Sequence, residues 1–371
     1  MFNQAYKDKR VLVTGHTGFK GAWLAEWLLA LGAKVTGLSL PPATEPALFN
    51  QLGLAGRVDH RIGDIRDLAT VRAVVEDVRP DFVFHLAAQA LVRLSYEQPV
   101  ETYATNVLGT AHVLEAVRLA KRPSTVIAIT TDKCYENREW VHSYREEDPM
   151  GGYDPYSSSK GAAELVINAY RRSFFSAGAT GPAIRLASAR AGNVIGGGDW
   201  ATDRIVPDCI RALQQGQAIP VRNKVATRPW QHVLEPLSGY LWLGAQLGVA
   251  APGTATPLAS AFNFGPALTA NRTVAALVQE VLKHWPGRWE DRSDPLAVHE
   301  AKLLNLATDK AHHFLHWQPV WPFEQTIAET VAWYQAQQAG DQDLHTLTSR
   351  QIAEYTAAAR HRGLPWAVPS A

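Results

Sequence analysis

The sequence predicts an α/β fold, a doubly wound parallel sheet followed by a smaller, loop-rich C-terminal domain. Three observations predict it. Short β-branched runs alternate with helical patterns through the first half of the chain. A glycine-rich turn joins the first such run to the first helix. After about residue 190 the rhythm breaks, and the chain becomes richer in loops, Trp, Pro and His.

The run at 10–14 (RVLVT) reads as the first strand. Residues 22–31 carry apolar side chains at helical spacing, and Gly32 supplies a C-terminal stop. Further strands fall at 34–40, at 57–62 before Gly63-Asp64, at 81–86 (DFVFHL), at 124–130 (STVIAIT) and at 183–187. Helical patterns lie between them at 68–78, 97–119 and 155–175. Such alternation requires crossover connections, hence parallel strands with helices on both faces. Beyond residue 190, GNVIGGGDW at 192–200 reads as a loop. Residues 206–214, 273–284 and 323–338 read as helices, with candidate strands at 220–225 and 261–264. The Ala/Pro/Gly/Thr-rich stretch 250–261 reads as a surface connection. From Gly340 onward no feature can be assigned.

Composition narrows the functional classes. The 371 residues fit two to three domains at roughly 150 residues each. A hydrophobic content of 46% excludes a disordered chain. The 36 Lys and Arg against 35 Asp and Glu leave a net charge of +1, so no nucleic-acid or membrane surface is expected. Two cysteines, Cys134 and Cys209, point to a reducing compartment. No apolar stretch approaches the roughly 20 residues of a membrane helix, and MFNQAYKDKR lacks the apolar core of a signal peptide. A soluble cytoplasmic protein is expected. No His, Cys or carboxylate cluster has metal-ligand spacing, so no metal is expected.

The turn after the first strand, Gly15-His-Thr-Gly18-Phe-Lys-Gly21, spaces three glycines three apart and opens a helix. Glycine permits the tight turn and the close approach of backbone N–H groups to a pyrophosphate, which the helix N-terminus then faces. A dinucleotide site follows, the Rossmann arrangement, with Gly15, Thr17, Gly18, Phe19, Lys20 and Gly21 as its phosphate side. The second strand ends without the acid that holds an NAD ribose or the arginine that pairs an NADP phosphate. Ser39 can hydrogen-bond a hydroxyl, which favours NAD. Asp64 reads as a helix cap.

Tyr156-Ser-Ser-Ser-Lys160 opens the helix at 155–175, and a four-residue spacing puts both side chains on one face. An ammonium beside a phenol favours the phenolate, which can take a proton from a substrate alcohol as hydride leaves the carbon. The fifth strand ends Thr130-Thr131-Asp132-Lys133, at the sheet edge where open α/β folds bind ligands. A hydroxyl, a carboxylate and an ammonium are therefore delivered together. A helix cap with a solvated lysine is the plainer alternative.

The segments TGHTGFKG, FHLAAQALVRLSYEQPVETYATNVLGT, TTDKCYEN, YDPYSSSKGAAE, GNVIGGGDW and RPWQHVLEPLSGYLWL together resemble the CDP-glucose 4,6-dehydratases. These are a branch of the extended short-chain dehydrogenases/reductases that acts on nucleotide sugars. The likeness spans roughly residues 5–335. It implies NAD as a catalytic cofactor, with Asp64 as a contact to its adenine in place of a plain helix cap, and with Ile65, Leu86, Ala87, Ala88, Asn106, Thr130, Tyr156 and Lys160 also lining its site. It implies CDP-glucose as substrate, met by Asn193, Arg204 and Arg228, with Asn263 and His299 as weaker candidates. Related dehydratases end this strand in Thr-Asp-Glu; Thr131-Asp132-Lys133 is typical of the CDP-glucose branch, whereas epimerases carry small residues there.

The implied reaction makes CDP-4-dehydro-6-deoxyglucose and water. Tyr156 takes the C4 hydroxyl proton, Asp132 protonates the departing C6 hydroxyl, and Lys133 is either the base at C5 or an orienting cation. Such products feed bacterial surface polysaccharides such as O-antigens. Another nucleotide-sugar dehydratase or a 4-epimerase remains an alternative, as does a non-catalytic NAD(P)-sensing regulator. The expected division is 1–190 for the NAD-binding Rossmann domain, with later returns near 226–270. Residues 191–340 mainly bind the nucleotide sugar, and 341–371 form an unassigned extension. A homodimer or homotetramer is expected through the helices near 97–119 and 155–175, with Val107, Val113, Leu165 and Val166 supplying core and interface stripes.

Overall fold

The computed structural model describes residues 1–176, 182–250, 254–293, 303–340 and 342–368. Its main sheet has seven strands: β1 (Arg10–Thr14), β2 (Lys34–Ser39), β3 (Asp59–Ile62), β4 (Phe82–His85), β5 (Ser124–Ile129), β6 (Ile184–Arg190) and β7 (Ala261–Asn263). Every pairing is parallel, in the order β7-β6-β5-β4-β1-β2-β3. The order reverses between β1 and β4, so the crossovers above those two strands diverge and leave a crevice. β4 and β5 are buried along their whole length, as their unbroken apolar runs require.

The helices that position the site are α1 (Phe19–Ala30), α2 (Leu68–Val78), α3 (Gly109–Leu119), α4 (Pro155–Ser173), α5 (Leu234–Gly248), α6 (Phe323–Ala339) and α7 (Leu344–His361). Val71 and Val75 of α2, Val113 and Val117 of α3 and Ile167 of α4 pack with Leu12, Val83, Val126 and Leu186 from one face of the sheet. Trp23 and Trp27 of α1 and Leu241 of α5 pack with Val11, Val13, Phe84 and Ile127 from the other. At the start of α4, Asp154 accepts from Ser157 N at 2.9 Å and Pro155 takes the first turn. That cap sets the turn on which Tyr156 sits.

Several elements depart from the sequence expectation. The segment 97–119 is not one α-helix: α3 is preceded by Pro99–Tyr103 and by a π turn, Ala104–Leu108, that re-aims Asn106 inward. β6 runs on to Arg190, past the expected 187, because Ser188 and Arg190 find partners in the core. β7 closes the sheet's far edge beside β6. α5 is buried almost all round and so carries no helical stripe. The unassigned C-terminal stretch holds α7, docked through Glu26 of α1, which lies 3.3 Å from both Ser349 Oγ and His345 Nε2. The Trp366 ring stacks on Phe2 at 5.2 Å, tying the end of the described chain to its start. Short strand pairs outside the main sheet join Thr227–Pro229 to Asn271–Thr273 and Ile219–Val221 to Trp289–Asp291. Among the described residues no helix is long and apolar enough to cross a membrane.

Candidate active site

The glycine turn sits at the crevice between β1 and β4. Gly15 has φ +78°, and a Cβ there would stand 2.7 Å from Ala87 N. A Cβ on Gly21 would stand 2.1 Å from Gly15 O. Only glycine fits these two positions. Gly18, by contrast, is exposed at the N-terminus of α1 and would meet only Gly15 O, at 3.4 Å. Open space thus lies beside the N-terminus of α1, which suits a pyrophosphate. Thr17 Oγ lies 2.8 Å from Ser39 Oγ and donates to Leu40 O at 3.0 Å, so the turn is pinned to the end of β2.

The other predicted cofactor residues divide into open and committed groups. Leu86, Ala87 and Ala88 line the half-buried loop after β4. Asn106 is buried, bridging Gln89 N and O at 2.9 and 3.0 Å and Ser159 Oγ at 2.8 Å, which braces that loop against α4. Ile65 is buried against α3. The Asp64 carboxylate is held by Arg66, with Nη2 at 2.6 Å. Thr130 donates its hydroxyl to Glu164 at 2.5 Å, into the core. Phe19 and Lys20 are half-buried, with the Lys20 ammonium 6.0 Å from the Tyr240 ring.

Tyr156, Lys160, Thr131 and Asp132 are all buried at the carboxyl end of β5. Thr131 donates to Asp132 Oδ1 at 2.9 Å and lies close enough to the Tyr156 phenol to lower its pKa. Burial pushes the Asp132 carboxyl up, against Lys133, Thr131, Arg228 and Lys20, which pull it down. Burial lowers Lys160 to about 8, against Glu164 and Cys134. The expected depression of the Tyr156 phenol by Lys160 does not occur in the protein alone: burial pushes Tyr156 up to about 12, outweighing Thr131 and Arg204, which lower it. Taking the phenol out of water costs its anion more than the nearby cations return.

Lys20 is coupled by charge to Arg204, Lys160, Asp132 and Asp199, and burial holds it at about 8. Arg204 pairs with Asp199 at 2.8 Å. Arg228 is buried, donating to Thr227 O at 2.9 Å. Five cationic side chains, Lys20, Lys133, Lys160, Arg204 and Arg228, therefore surround two carboxylates, Asp132 and Asp199. That excess suits a diphosphate. Asn193 is half-buried at φ +46° in the loop after β6. Asn263 does not offer a free amide: it is fully buried, accepting from Tyr135 at 2.8 Å and donating to Tyr144 O and Ala307 O at 2.9 and 3.2 Å. It braces the loop walls instead of facing a ligand. His299 lies outside the described residues. His85, bonded to Thr14 and Thr110 at 2.7 and 3.0 Å and lowered by burial to about 3, is a neutral packing group.

Sequence reasoning missed Asp199, Gly192, Glu164 and Arg190. A Cβ on Gly192 would stand 1.8 Å from Asp132 Oδ2, so this glycine makes room for the carboxyl. Glu164 was readable as the next turn of the Tyr156–Lys160 face.

A glycine turn at the switch point, with a Tyr/Lys helix beside a Thr-Asp-Lys strand end, defines an extended short-chain dehydrogenase/reductase of the nucleotide-sugar type. The chain belongs to the GDP-mannose 4,6-dehydratase family, whose model matches residues 12–330. It is 46% identical over 358 residues to the CDP-glucose 4,6-dehydratase of Salmonella typhimurium, covering 95% of this chain and 98% of that one. It is 27% identical to a dTDP-glucose 4,6-dehydratase of Xanthomonas campestris, covering 87% and 92%. The fold matches a dTDP-glucose 4,6-dehydratase from Streptomyces venezuelae solved with NAD bound, at TM-score 0.74 and 24% identity, covering 90% of this chain and 99% of that one.

Proposed function

We propose that the protein is a CDP-glucose 4,6-dehydratase, converting CDP-glucose to CDP-4-dehydro-6-deoxyglucose and water. The observation that carries this reading is the near full-length 46% identity to an enzyme of that name. It is supported by Asp132 lying near Tyr156 at the end of β5, with Lys133 beside Asp132.

The Gly15–Gly21 turn and the open N-terminus of α1 fit NAD, and the lack of an Arg or Lys in the sequence directly after Ser39 favours it over NADP. NAD held there would supply the hydride acceptor for C4 of the sugar and the hydride donor for C6. Tyr156 holds the C4 hydroxyl and takes its proton; a positive charge brought beside the phenol lowers the pKa that burial has raised. Lys160 supplies a cation below pH about 8. Asp132, raised by burial, keeps a proton for the C6 hydroxyl. Lys133, in the neutral-amine form that this step requires, takes the C5 proton, in preference to merely orienting Asp132. Arg204, Arg228 and Asn193 hold the diphosphate, and residues 191–340 form most of that half of the site.

Cytoplasmic synthesis of deoxysugars for surface polysaccharides such as O-antigens is the setting that fits this chemistry. Assembly is at least dimeric, through helices whose outer faces expose Val100, Leu108 and Leu165 (72, 55 and 62% exposed). Val113, at 0% exposed, belongs to the core and not to that interface.

The test is turnover of CDP-, dTDP-, GDP- and UDP-glucose side by side with added NAD. The reading expects a 4-keto-6-deoxy product chiefly from CDP-glucose. A preferred substrate with another base, or a C4 epimer as product, would replace it.

A further inference from the structure

One buried ion pair lies behind the Tyr156–Lys160 face and takes no part in the chemistry above. Glu164 follows Lys160 by one helical turn, as Lys160 follows Tyr156. Both of its oxygens are fully engaged. Oε1 accepts from Thr130 Oγ at 2.5 Å and Arg190 Nε at 2.9 Å. Oε2 accepts from Ser188 Oγ and Arg190 Nη2, each at 2.9 Å. Arg190 also donates through Nη1 to Tyr135 Oη at 2.7 Å and Glu146 O at 3.0 Å. Thr130 directly precedes Thr131 and Asp132, so this one carboxylate ties the helix carrying Tyr156 and Lys160 to the strand end carrying Thr131, Asp132 and Lys133. Both partners are about 5% exposed.

We infer that Glu164 and Arg190 are a positioning pair, which holds the Tyr156–Lys160 face in register with Thr131 and Asp132 and presents Lys160 with a neutralised carboxylate. The inference rests on the reading of Lys160 as a working cation. A lone carboxylate one turn away would bind the lysine ammonium and draw it back from the phenol. Arg190, with two parallel N–H donors, occupies both oxygens first. The groups facing Lys160 are Glu164 on its own helix, Cys134 from the turn after β5, His85 from β4 and Lys20 from α1. Cys134 is held as the thiol by burial and His85 is neutral, which leaves Glu164, offset by Arg190, and Lys20 as the charges that matter.

Removing the two partners one at a time therefore has opposite consequences. Glu164→Gln leaves Arg190 uncompensated, so the basic limb of the pH–kcat profile should move down by about one pH unit. Arg190→Met leaves Glu164 uncompensated, so the same limb should move up by about as much. A purely structural pair predicts loss of activity in both variants with the limb unmoved. Breaking a buried pair risks unfolding, so the double variant Glu164→Gln/Arg190→Met carries the test alongside them. It should melt near the wild type, keep the wild-type limb and KM, and lose roughly 10-fold or more in kcat. Wild-type kcat in the folded double variant would overturn the positioning role, as would limbs that move in the same direction in the two single variants. Lys160→Met separates the underlying reading: full activity there would remove the role of Lys160 itself, whatever the pair does.

Discussion

Thr131 donates its hydroxyl to Oδ1 of Asp132 at 2.9 Å, while Oδ2 of the same carboxyl, lying against Gly192, has no hydrogen-bond partner among the described residues. The side chain is buried, and burial raises its pKa despite the nearby lysines and arginine. A carboxyl with one oxygen anchored and one unpaired is suited to hold a proton and release it to a departing hydroxyl. The elimination step of the proposed reaction rests on this arrangement, and the residue beside it, Lys133, tests it.

Lys133→Met should keep the first oxidation and stall the loss of water, so that the absorbance of reduced nicotinamide builds up when the variant meets CDP-glucose. Solvent deuterium decides how Lys133 acts. A base at C5 predicts no deuterium uptake there in the variant, whereas an orienting cation predicts uptake without water loss. Wild-type turnover would exclude both roles.

Tyr156→Phe keeps the ring in its pocket and removes the phenol. Binding of CDP-glucose should change little, and turnover should fall by roughly 10²–10⁴-fold, the scale for losing a positioned general base. Steady-state kinetics with calorimetric binding checks both. Near-normal turnover would rule out the oxidation step as drawn.

Glu235 gives a pH dependence of stability unconnected with catalysis. It is fully buried, accepting from Trp321 N and Tyr355 Oη at 2.7 Å each and from Val320 N at 2.9 Å, and burial raises it to about 7. The folded state thus holds this proton more tightly than the unfolded chain, whose glutamate titrates near 4.3. Its contribution is complete below about pH 4.3 and is lost as pH rises through about 7. Urea midpoints should therefore show a stabilising contribution of about 1 kcal/mol on going from pH 8 to pH 6. Glu235→Gln should lack that increment. An identical pH dependence in wild type and variant would contradict the assignment.

Leu165→Glu puts a charge on the exposed apolar face of α4. Light scattering at micromolar protein should give at least a dimer for the wild type and a smaller species for the variant. A monomeric wild type would remove the proposed interface.

Much of the architecture was legible because it depends on local pattern. The apolar runs at 10–14, 81–86 and 124–130 are strands buried on both faces, and the Gly15–Gly21 spacing is forced by contacts a Cβ cannot tolerate. What stayed hidden depends on distant partners. α5 has no stripe because other elements surround it, and α7 buries Thr348, Gln351 and Thr356 among its apolar residues, which blurs its period. The tight pairing of Asp64 with Arg66 and the bracing role of Asn263 are likewise invisible in a motif. The same holds for Tyr156: its spacing to Lys160 was evident, but the burial that dominates its pKa is a property of the assembled fold.

The central claim is that hydride leaves C4 and returns to C6 of the same sugar while water is lost between C5 and C6. CDP-glucose carrying deuterium at C4, incubated with the protein and NAD and read by NMR, tests it most directly. The account predicts a 4-keto-6-deoxy product with the deuterium in its C6 methyl group and no net formation of NADH. A product that keeps its C6 hydroxyl, or deuterium found at C4 of an epimer, would contradict it.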